Sequence, residues 1–168
     1  MQNKLLHYTI AGIIFTSIAG TLSHFLYDWS GNIPLIGLFS PVNESVWEHM
    51  KLLFFPMLFY FLFERLIQEK YPSSLACANA ASVLIGISLI PIIFYTYSGI
   101  WGTHYAVMDI AIFYISVIIA FIVRYLLSKK RISKTNCQWL TASILLILVC
   151  FIIFTYSPPD LGIFQLPE

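Results

Sequence analysis

Apolar runs long enough to cross a bilayer make up most of this chain, and they limit its fold more than any other feature. A helix needs roughly 20 apolar residues to cross ~30 Å of hydrocarbon. Tyr8–Tyr27, Leu75–Tyr97, Tyr105–Arg124 and Trp139–Tyr156 reach that length, and Ser45–Phe63 joins them once its polar start is accepted. Backbone groups in lipid must be satisfied within their own segment, so these runs predict helices rather than an open sheet. The expectation is all-α: an integral membrane bundle of five transmembrane helices, one domain over residues 1–168. Charged residues are only 10% of the sequence, far below the quarter or so usual in soluble domains. A net charge of +1 gives no reason to expect nucleic acid as a partner. Cys77, Cys137 and Cys150 have neither C-x-x-C nor zinc-like spacing, and no disulfide framework is predicted from them. Lys4 and Ser17-Ile18-Ala19 imitate a cleaved secretory signal, but the run is read as a retained first helix.

The basic residues orient the bundle. With the N-terminus inside, Lys4, Arg65, Lys70, Arg124, Lys129, Lys130, Arg131 and Lys134 fall on the cytoplasmic side and only Lys51 on the other. Asp160 and Glu168 then lie outside with the C-terminus, and the location predicted is the bacterial inner membrane. Ionisable groups within spans are expensive and therefore informative. At ~1.5 Å per residue, Glu48 lies about 24 Å above Glu64, Lys51 about 20 Å, Asp109 about 22 Å above Arg124, and His24 about 25 Å above His7. All four fall in one layer beneath the outer surface. At about 100° per residue, Glu44, Glu48 and Lys51 share a face of the second span, and His49 points away from them. The first span has a stripe of Ser17, Gly20, Thr21, His24 and Asp28; the fourth has Gly102, Tyr105, Asp109, Ser116 and Ala120. Small residues let helices approach and polar ones bond across, so the stripes are expected to meet and gather their charges into one pocket. Pro56 and Pro91 interrupt two spans and free the carbonyls of Leu52 and Ile87.

The densest polar stretch is Phe39–Lys51, and within it lies the run Ser40-Pro41-Val42-Asn43-Glu44-Ser45-Val46-Trp47-Glu48-His49. Ser45 and Glu48 have capping-box spacing, while Lys51 either snorkels outward or neutralises Asp109 or Glu48. With His24-Phe25-Leu26-Tyr27-Asp28-Trp29-Ser30-Gly31 and Met108-Asp109-Ile110, this run resembles a family of small bacterial membrane proteins known only as a domain of unknown function. The resemblance implies a polytopic membrane protein and supplies no activity.

Physics therefore sets the candidate pocket: His24, Asp28, Asn43, Glu44, Glu48, Lys51, Tyr105 and Asp109. Within it, His24 and Asp28 lie one helical turn apart, the spacing with which one helix face can hold a metal. Glu48 and Asp109 complete the predicted divalent-metal set. The favoured function is binding or transport of a small ion, solute or lipid head group. Alternatives are a membrane-embedded hydrolase or transferase acting on lipid, metal-dependent or using Glu48 and His24 as acid and base, and a non-catalytic partner protein. Membrane lipid is the expected surrounding partner. The tail Ser157–Phe164 is too short to span and is expected either to fray or to fold over the pocket.

Overall fold

The computed structural model describes residues 2–68, 72–130 and 132–167. Lys70, Arg131 and Glu168, which entered the orientation argument, lie outside them. The helices are α1 (Gln2–Trp29), α2 (Pro34–Gly37), α3 (Val46–Ile67), α4 (Ser73–Trp101), α5 (Ala106–Leu127) and α6 (Lys134–Phe154), followed by a 3-10 turn at Gly162–Phe164. No strand forms among the described residues.

The sequence predicts five crossing helices; among the described residues four are long and apolar enough to cross, α1, α4, α5 and α6. The difference is α3. It is as long as α5, but it carries Glu48, Lys51 and Glu64, all buried. α3 buries its N-terminal half within the bundle against α1 and α4, while its C-terminal half turns Phe59, Leu62, Phe63 and Leu66 outward. Its Leu53, Phe54 and Met57 meet Val83 and Ile87 of α4 and Val117 and Phe121 of α5 in one core. The outer helices turn large apolar side chains outward, among them Ile14, Ile18, Ile92, Ile110 and Leu146.

Two glycines set how closely α1 approaches. A Cβ on Gly20 would lie 2.5 Å from the Leu52 carbonyl oxygen, and one on Gly12 would strike the rings of Phe121 and Tyr60. The Leu52 carbonyl is the one that Pro56 leaves without a helical donor, so the missing hydrogen bond and the missing side chain coincide.

Among the helix ends that include the start of α1 and the end of α5, Arg124 is wholly buried rather than facing water. Its guanidinium donates to Glu64 Oε2, to Asn79 Oδ1 at 2.8 Å and to Thr9 Oγ1 at 3.4 Å, tying α5 to α3, α4 and α1. Gln68 donates to the other Glu64 oxygen at 3.0 Å, and the guanidinium lies over the Phe61 ring. Near the same end, Cys77 and Cys137 form a disulfide that joins α4 to α6, a pairing not expected from their spacing. The sulfurs meet because both helices begin at this end, although 60 residues separate them in sequence.

Candidate functional site

The opposite end of the bundle is assembled from turns. Gly31 and Asn32 both have positive φ, which glycine and asparagine tolerate, and they reverse the chain after α1. Asn43 Oδ1 accepts from Ser45 N at 2.9 Å, and the Ser45 hydroxyl accepts from Glu48 N at 3.4 Å and caps α3. This cap places His49 in the first turns of α3 and leaves Glu44 just outside the helix. There Glu44 meets His49 and His24 of α1. Glu44 Oε2 lies 3.3 Å from His49 Nε2 and 3.5 Å from His24 Nε2, and the two Nε2 atoms are 3.3 Å apart.

The other ring nitrogen of His49 settles its tautomer. Nδ1 lies 2.9 Å from the Ser45 carbonyl oxygen, which only accepts, so Nδ1 carries the proton. The Nε2 of a neutral His49 then turns a lone pair toward a carboxylate oxygen. Such a triangle calls for a cation, either an added proton or a metal ion. The Glu44 carboxyl is held below the usual carboxylate range, chiefly by its contact with the His49 ring, with burial opposing.

His24, Glu44 and His49 line a cavity of about 770 Å³. A second polar group lines the same cavity. His104 Nδ1 lies 2.9 Å from Asp109 Oδ2, and the Tyr97 hydroxyl donates to Asp109 Oδ1. The same Tyr97 oxygen accepts from Tyr105 N at 3.2 Å. Gly102, with φ of 72°, closes α4 and turns the chain so that His104 can reach the first turn of α5. The rest of the lining is mainly apolar, including Leu52, Ile90, Phe94 and Phe113. Thr21 and Tyr114 share a hydrogen bond at 2.9 Å where α1 meets α5. The tail reaches this cavity too: Leu166 and Pro167 form part of its lining, and Phe164 packs against Trp47 and Phe154.

Of the predicted pocket residues, the cavity therefore gathers His24, Glu44 and Asp109. Glu48 and Lys51 lie on another face of α3. The Lys51 ammonium donates to Glu48 Oε2 at 2.7 Å, Thr155 Oγ1 at 2.6 Å and Gly37 O at 2.9 Å, and Val42 N donates to Glu48 at 2.9 Å. Of the two pairs foreseen for Lys51 it forms the one with Glu48, not the one with Asp109. Glu48 thus closes a turn rather than reaching back to its own cap. Asn43 serves the turn, the Tyr105 ring is exposed, and Asp28 is exposed one turn beyond His24. The predicted metal set of His24, Asp28, Glu48 and Asp109 is not brought together. Among the described residues, the group that could hold a metal is His24, Glu44 and His49. His49, which the angular reading turned away from the other groups, and His104 are the residues that sequence reasoning missed.

A profile of the Family of unknown function (DUF6512) matches residues 1–166. The chain belongs to DUF6512. No curated protein and no solved structure matches it. DUF6512 membership covers the cavity residues and the buried clasp alike, and assigns a role to none of them.

Proposed function

We propose that this protein is a membrane-embedded binding protein that holds a divalent transition metal, zinc by its donor set, at His24, Glu44 and His49. The metal's open position faces an apolar cavity that accepts the chain of an amphiphile. The membrane would be the bacterial inner membrane, as the family resemblance suggests.

The size of the donor triangle carries this reading. Its edges are 3.3, 3.3 and 3.5 Å. Charge-assisted N–H···O bonds are shorter, ~2.7–2.9 Å. Donors ~2.0–2.1 Å from a tetrahedral zinc stand about 3.3–3.4 Å apart, whereas neighbouring donors around a ~2.1 Å octahedral ion stand about 3.0 Å apart. The triangle therefore has the dimensions of one tetrahedral face. Two histidines and a glutamate with the fourth position open is a zinc arrangement suited to binding a ligand or water. The Nδ1–H bond from His49 to Ser45 is the outer contact that orients such a ligand. The cavity volume falls within the ~300–1,000 Å³ typical of small-molecule sites.

The test is metal content. Protein purified in detergent, loaded with zinc and desalted, retains stoichiometric zinc, and His24→Ala and His49→Ala each lose it. A folded wild-type protein that retains none, or a His49→Ala variant that retains as much, overturns the reading. A long-chain monoacylglycerol then raises the thermal midpoint more with zinc than after chelation.

A further inference from the structure

We infer that the cavity hydrolyses an uncharged long-chain acyl ester, with His104, which lines the same cavity as the metal group, as general base. The inference rests on the zinc reading above and adds a reaction and a substrate class to it.

The first observation is the His104–Asp109 pair. Asp109 accepts from the Tyr97 hydroxyl as well, so its carboxylate is held from two sides. Facing that carboxylate, His104 Nδ1 is the donor, and Nε2 carries the lone pair. Among the described residues His104 Nε2 has no hydrogen-bond partner, and His104 is a cavity-lining residue. A histidine oriented by a carboxylate and presenting a lone pair to a cleft is the arrangement of a general base. Asp109 and Tyr97 are then positioning residues.

The second observation concerns charge. The described residues lining the cavity include the carboxylates Glu44 and Asp109 and no lysine or arginine. Apart from the zinc, whose charge Glu44 partly offsets, an anionic phosphodiester would meet the Asp109 carboxylate and no clamping lysine or arginine. A neutral ester meets no such penalty, and the apolar wall of Leu52, Ile90, Phe94 and Phe113 suits its hydrocarbon chain.

The step balances with water as co-reactant. A zinc held by His24, Glu44 and His49 would supply a water of lowered pKa; His104 Nε2 takes a proton from the attacking water, whose oxygen bonds to the acyl carbon while the C=O electron pair moves to oxygen. As that pair returns, the C–O ester bond breaks. The leaving alkoxide takes the proton from His104, so the products are a carboxylic acid and an alcohol.

The experiment uses the full-length zinc-loaded protein in detergent with p-nitrophenyl decanoate, p-nitrophenyl butyrate and bis-p-nitrophenyl phosphate. The decanoate is cleaved fastest and the phosphodiester not at all. His104→Gln keeps its zinc and loses roughly 100-fold or more in kcat. Asp109→Asn also keeps zinc and lowers kcat with little change in KM, and Asp109→Glu restores part of the rate, which a merely structural role would not produce. Zinc-loaded wild type that cleaves neither ester, preferential cleavage of the phosphodiester, or a His104→Gln variant with wild-type kcat overturns this inference while the metal reading stands. Failure of the wild type to hold zinc overturns both.

Discussion

The polar clusters at the two ends of the bundle differ in saturation. At one end Arg124 has a named acceptor for each of its three nitrogens, on three different helices, and no part of it is exposed. At the other end His24, Glu44 and His49 converge without enough protons to satisfy one another, and His104 offers a lone pair that no described residue takes up. The first cluster is closed on itself and holds four helices together. The second is incomplete without something added, and it faces a cavity. Burial alone would not have separated them this way: the most buried charges here are fully partnered, and the partly exposed ones are not. The Lys51 cluster belongs with the closed type, since its ammonium has three acceptors.

This contrast can be broken by substitution. The largest effect is expected at Arg124→Ala, which strands the Glu64 carboxylate inside the bundle and removes about 3–5 kcal/mol, read by unfolding in detergent. Replacing Arg124 and Glu64 together with leucine recovers much of that loss, because no lone buried charge remains. Next comes Gly20→Ala, which drives a methyl into the Leu52 carbonyl and the Phe113 ring and lowers stability by about 1–3 kcal/mol in the same assay. The smallest change is expected at His24→Ala or His49→Ala in metal-free protein, within about 1 kcal/mol of wild type. With zinc present the gap widens, because only the wild type gains binding energy in its folded state. A metal-free His49→Ala protein that unfolds as readily as Arg124→Ala would mean that both clusters are structural, and the distinction would vanish.

The helices were readable because apolar runs and turn residues mark them: each run predicted to span lies within, or within a few residues of, α1, α3, α4, α5 or α6. The role of α3 was less readable, since hydropathy cannot tell a helix that faces lipid from one that buries its charges against other helices. For the site, depth arithmetic identified His24 and Asp109 as groups near one end. It could not choose between the two partners foreseen for Lys51, because equal depth on two helices says nothing about whether their faces meet. His49 was missed for a specific reason. Angular reasoning treated Glu44 as part of the helix that carries Glu48 and His49, but α3 starts at Val46. Glu44 sits in the preceding turn and folds back over His49, a relation that helical periodicity does not contain. The cystine was hidden in the same way, its partners brought together only by packing.

That cystine also bears on which way the bundle faces. Cystines persist in oxidising compartments, whereas cytosolic thiols are kept reduced. Cys77 and Cys137 lie near the end that carries Lys129, Lys130 and Lys134, which the positive-inside argument assigns to the cytosol. Two orientation signals therefore oppose each other at one end of the molecule. A bridge intact in cells would turn the cavity toward the cytosolic leaflet; two free thiols would turn it outward. The redox state of this single sulfur pair in cells therefore reports which leaflet the cavity faces.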